Sequence, residues 1–169
     1  MKFPLACAAM LLSTSTIAAP LPSQASLTID LAINDLKVAN PAKPYVAVWL
    51  EDANKKPAAQ WALWTGNQTE WLKDIRTWWR KFGRYNVNEI DGYSSATRAI
   101  GEHSIKAPLQ HLDGSELQQG QYTLYIEAVR EHGGRDIVRQ KLNLGEDAIQ
   151  FTIPAKAELG QITINYKVQ

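Results

Sequence analysis

Gln121-Tyr122-Thr123-Leu124-Tyr125-Ile126-Glu127-Ala128-Val129-Arg130, followed after Glu131-His132-Gly133-Gly134 by Ile137-Val138-Arg139-Gln140-Lys141-Leu142-Asn143-Leu144, is the stretch from which the fold follows. Its first run is rich in the aromatic and β-branched residues that fit a pleated, half-buried surface, and its apolar positions alternate with polar ones. Two such runs joined by a diglycine read as a β-hairpin, because glycine reaches the positive φ that a tight hairpin turn demands.

The same signals recur outward from this hairpin. Ser26 to Ile33 alternates Leu27, Ile29, Leu31 and Ile33 with smaller or polar partners. Tyr45 to Asp52 and Gln60 to Thr65 flank the polar turn Asn54-Lys55-Lys56-Pro57, and both carry tryptophan. His103 to Pro108, Ala148 to Ile153 and Leu159 to Val168 complete a count of seven or eight strands. Between Gly66 and Gly83 the period changes. Trp71, Ile75, Trp78, Trp79 and Phe82 gather on one face of a helix, with Lys73, Asp74, Arg76, Thr77, Arg80 and Lys81 opposite. The spacing predicts one amphipathic helix over residues 69–82, ended by Gly83. Many short strands with turns between them and no βαβ rhythm predict an all-β fold, an immunoglobulin-like antiparallel sandwich with that helix inserted. Residues 86–102 read as a long loop.

The amino terminus carries an address. Lys2 precedes the apolar run Leu5 to Leu12, and small residues follow, the pattern of a secretory signal peptide over residues 1–19. Small residues fit cleavage after Ala18 or Ala19, with Ala25 as the alternative; a single sandwich domain over 26–169 remains. A membrane-spanning helix needs about 20 apolar residues, and no run reaches that length, so the mature chain is expected to be soluble in the periplasm. Cys7 is the only cysteine and leaves with the leader, which excludes disulfide and thiol chemistry. Loss of Lys2 from 18 basic residues leaves 17 against 17 acidic ones, and that balance argues against nucleic-acid binding.

No Gly-x-Ser-x-Gly elbow and no phosphate loop occur, so the chain does not read as an enzyme. All six tryptophans lie between residues 49 and 79. They read chiefly as a helix-on-sheet core, with one of the adjacent Trp78 and Trp79 turned partly outward as a partner or ligand contact. A carbohydrate-binding module is the alternative those rings invite. His103, His111 and His132 lack metal-site spacing. His132 and Arg130, beside the diglycine, are candidates for a close approach to a partner.

Pro44 to Asp52, Trp71 to Arg80 and Gly120 to Gly134, three motifs in order across nearly the whole mature chain, together resemble the DUF2271 family of predicted periplasmic proteins. The resemblance implies an exported accessory or binding domain. It also suggests a PepSY-type protein of the inner membrane as partner, in a redox or metal-handling system, because such proteins accompany PepSY proteins and the transferase that attaches FMN to exported proteins. Asp91-Gly92-Tyr93-Ser94-Ser95-Ala96-Thr97 is similar to the Asp-x-x-Ser-Gly-Ala-Thr acceptor of that transferase. The similarity would make Thr97 the FMN attachment residue, with Asp91 and Ser94 at the upstream positions, and the protein an electron-transfer carrier. Ser95 stands where a glycine is usual, a departure that matters if the position needs positive φ. Taken alone, the segment is a turn and a small-residue loop, and no cofactor is then expected.

Overall fold

The computed structural model describes residues 18–37, 42–66, 69–86 and 90–168, with the side chains of residues 91 and 93 excepted. Residues 1–17, most of the segment expected to be a signal peptide, therefore lie outside the described part. Nine strands are present among the described residues: β1 (Ser26–Ile33), β2 (Tyr45–Glu51), β3 (Pro57–Trp64), β4 (Ser94–Ser95), β5 (Gly101–Ala107), β6 (Gly120–Val129), β7 (Arg135–Leu144), β8 (Ile149–Ile153) and β9 (Leu159–Lys167). They make an all-β sandwich of a four-stranded sheet, ordered β5-β1-β9-β8, and a five-stranded sheet, ordered β4-β3-β2-β6-β7.

The main core fills the space between the sheets. Ile29, Leu31 and Ile33 of β1 meet Val46, Val48 and Leu50 of β2, Leu124 and Ile126 of β6 and Ile162 and Ile164 of β9, all essentially removed from water. Full burial of each such side chain is worth about 1.5–3 kcal/mol. β2 is buried on both faces, because its other face, Ala47 and Trp49, carries a second core with Leu63, Leu72, Ile75, Trp78, Phe82, Ile90 and Tyr125. The helical segment therefore forms a third layer on the outside of the five-stranded sheet. Trp49 stacks on Tyr125 there, with ring centroids 4.8 Å apart.

That segment departs from the continuous helix its spacing predicts. Thr69–Asp74 is a 3-10 helix, Ile75 leaves the helical region at ψ 69°, and α1 (Arg76–Lys81) starts afresh. The cause is tertiary. Ile75 offers no side-chain cap; the buried carboxylate of Glu127 on β6 instead accepts the backbone N–H groups of Thr77 (3.1 Å) and Trp78 (2.8 Å). Orphan donors at a helix start seek an acceptor, and here the sheet supplies one. Lys81 at the other end of α1 donates to Glu51 of β2 at 2.8 Å.

The long loop is also shorter than its composition predicts. It contains the one-turn helix α2 (Ile90–Tyr93) and β4, which pairs in parallel with β3, Ser94 beside Leu63 and Ser95 beside Trp64. The carbonyl of Ser95 accepts N–H groups from both Thr65 (3.1 Å) and Gly66 (2.9 Å). The unpaired edge of β3 is thus capped by a segment that carries no strand periodicity of its own.

Candidate functional site

One end of the five-stranded sheet collects the residues of chemical interest, and the register shows why. β2 runs antiparallel to β3 and β6, so Val46 at its start lies opposite Trp64 at the end of β3, and Tyr45 lies opposite Val129 at the end of β6. β4 runs parallel to β3 and therefore ends at the same edge. Across that edge come Thr97 after β4, Thr65 and Gly66 after β3, Lys43 and Tyr45 at the start of β2, Glu131 after β6 and Arg135 at the start of β7. The 3-10 helix leans Trp71 and Asp74 over them.

Two cavities open along this edge. One, of about 590 Å³, is bounded by Lys43, Tyr45, Thr65, Gly66, Thr97 and Glu131. The other, of about 410 Å³, is bounded by Tyr45, Trp71, Asp74, Arg76, the turn from Arg130 to Gly134, and Arg135. Both fall in the range of about 300–1,000 Å³ usual for small-molecule and cofactor sites. Tyr45 and Glu131 belong to both, so the two form one composite groove. Burial, and then the nearby carboxylates of Glu131, Asp74 and Glu70, push the Tyr45 phenol above its ordinary value. It is a neutral hydroxyl throughout the physiological range.

Thr97 is half-buried on the wall of the larger cavity, and its hydroxyl makes no hydrogen bond to a described residue. Lys43, exposed on the same wall, is likewise in no ion pair among the described residues. Ser94 is half-buried and held in β4. The side chain of Asp91, the third position of the acceptor-like segment, lies outside the described residues. Ser95 sits in extended strand rather than at positive φ; the described non-glycine residues at positive φ are Lys37, Lys55 and His132. The serine in place of the usual glycine therefore carries no backbone strain here.

The partner candidates divide. Trp78 is fully buried and donates its indole N–H to Gln60 at 2.7 Å, so it is core and not a surface contact. Trp79 is half-buried beside it, with ring centroids 6.5 Å apart. The exposed indole is Trp71, at 47%. The helical spacing assigns Trp71 to the buried face, but the break at Ile75 turns it off that face. Arg130 is also structural: it is 4% exposed, its Nε donates to Glu158 at 2.6 Å, and its terminal nitrogens donate to the carbonyls of Ala42 and Asn34. His132 stands at the lip of the smaller cavity, 93% exposed, with the Glu131 carboxylate 3.6 Å from its Nε2.

The turn itself inverts the expectation placed on its glycines. His132, not Gly133 or Gly134, takes the positive φ, at 52°. The glycines are needed for close approach: a Cβ at Gly133 would come within 2.8 Å of the Arg130 side chain, and one at Gly134 within 2.9 Å of a Glu158 oxygen. That oxygen accepts the Gly134 N–H at 2.6 Å. Among the described residues no three His, Cys, Asp or Glu side chains gather as a metal site, and no helix is long and apolar enough to cross a membrane.

A family model, described as a predicted periplasmic protein (DUF2271), matches residues 26–161. No curated protein and no solved structure matches the chain.

Proposed function

This chain belongs to the DUF2271 family of predicted periplasmic proteins, and we propose from that premise that it is an exported carrier of FMN, joined by a phosphate ester to Thr97 and without a catalytic site of its own. The observation that carries this reading is the setting of Thr97: a half-buried hydroxyl with no described hydrogen-bond partner, on a cavity wall that also holds the uncommitted cation of Lys43.

The residues present fit the group. Thr97 would anchor it, Lys43 would offset the negative charge of the ester phosphate, and the neutral phenol of Tyr45 would contact the chain that leads away from it. Bound flavin would supply one- and two-electron transfer, which no side chain of a thiol-free domain offers. Ester formation from a flavin dinucleotide donor joins Thr97 Oγ to the flavin phosphorus, breaks the donor's phosphoanhydride bond, expels the nucleoside monophosphate and releases the hydroxyl proton. The adduct is thus FMN less one water. Ser95, extended and unstrained, leaves the acceptor segment able to present Thr97. Its carbonyl, bound by two backbone N–H groups, fixes where the segment leaves the sheet. A PepSY-type membrane protein, suggested by the family resemblance, would be the partner that exchanges electrons with the carrier.

Co-expression with an FMN transferase of proven activity tests this by intact mass. The wild-type chain and Thr97→Ser should gain FMN less one water, and Thr97→Ala should gain nothing. An unmodified wild-type chain, from cells in which the transferase modifies its own known acceptor, would remove the proposal.

A further inference from the structure

We infer that the smaller cavity is the seat of a flat heteroaromatic ring, the isoalloxazine of the attached flavin, stacked on Trp71 with Arg76 facing its polar edge; this rests on the attachment at Thr97 proposed above. Trp71 is the starting point. A residue of its size on a helix beside a sheet normally joins the core, yet its indole is 47% exposed and stacks on no other ring of the described chain. It lines a cavity of about 410 Å³ rather than open surface.

The charges around that cavity are unequal in their freedom. Arg130 is committed to Glu158. Arg135 donates to Glu127 and to the Thr77 hydroxyl, each at 2.8 Å. Arg76, exposed on the same wall, makes no hydrogen bond or ion pair with any described residue. A guanidinium presents planar donors suited to a ring edge bearing carbonyl oxygens. An indole face suits stacking on a flat, electron-poor ring.

Reach is sufficient. Thr97 follows β4, and the smaller cavity opens beyond β2 and β6, which is three strand spacings, or about 14 Å at roughly 4.8 Å each. The ribityl phosphate of FMN extends its ring over a distance of that order, and the shared walls of Tyr45 and Glu131 keep the path within one groove.

Indole stacking quenches flavin fluorescence, which supplies the test. Wild type, Trp71→Ala and Trp71→Phe are loaded by the transferase and compared by mass, flavin fluorescence and urea midpoint. All three should carry the adduct and unfold at similar urea concentrations. Emission should rise severalfold in Trp71→Ala and less in Trp71→Phe. Equal emission from wild type and Trp71→Ala, both with adduct, overturns the stacking inference and leaves the attachment standing. If wild type carries no adduct, the attachment fails and the cavity is probed directly with free FMN. Quenching of flavin emission by wild type but not by Trp71→Ala then supports the ring seat, and equal or absent quenching overturns it.

Discussion

The guanidinium of Arg130 and the carboxylate of Glu158 are buried at 4% and 1% exposure and lie 2.6 Å apart. Around them Glu158 also accepts the Gly134 N–H, and Asp136 accepts the N–H groups of Glu158 and Leu159. This cluster ties the β6–β7 turn to the start of β9, and its Arg130 and Gly134 also line the smaller cavity. Removing one partner leaves an uncompensated buried charge, which costs about 3–5 kcal/mol. Arg130→Met should therefore lower the urea midpoint by that much free energy with an unchanged slope, whereas the double change Arg130→Met with Glu158→Leu should recover a measurable part. Equal midpoints for wild type and Arg130→Met would contradict the role. In the sequence Arg130 looks like a candidate contact because it ends a strand beside a diglycine. Its partner lies 28 residues away, and no local spacing announces that distance. His132, by contrast, is exposed at the tip of the turn.

Among the elements, strands were legible and the helical segment was not. The alternation in Ser26 to Ile33 appears as alternating burial in β1, because a period of two follows from the pleat alone. The helix over 69–82 divides because Glu127, which is 0% exposed, needs donors and finds them at Thr77 and Trp78. Glu127→Gln keeps the shape but loses charge-assisted hydrogen bonds to α1 and Arg135. Each hydrogen bond to a charged group is worth about 1.5–3 kcal/mol. The expected result is a loss of about 2 kcal/mol, with faster hydrogen exchange at the Thr77 and Trp78 amides than at β6. Uniform acceleration across α1 and β6 would mean that the carboxylate acts on the whole domain and not on α1.

At the level of the whole molecule, the segment before β1 belongs to the domain. Leu21 packs partly buried on the main core, Pro20 bridges Gln118, and the carbonyl of Ala19 accepts the Gln119 N–H at 2.7 Å. A domain that starts at Ala19 keeps these contacts and one that starts at Ser26 loses them, a difference of about 1–2 kcal/mol from the partial burial of one leucine. Cleavage of the expected signal peptide is predicted to leave a chain that begins at Ala19. Amino-terminal mass mapping of periplasmic material checks this, and a start at Ser26 would refute it. The sequence by itself determined the balanced, cysteine-free composition of residues 26–169 and the two-sheet sandwich, since each depends on composition or on a short local period. Only the tertiary structure decided the site. Thr97 reaches the sheet edge because β4 pairs with β3, about 30 residues earlier in the chain. Trp71 faces outward because a carboxylate from β6 breaks the helix, and the groove exists where those two long-range contacts meet Tyr45.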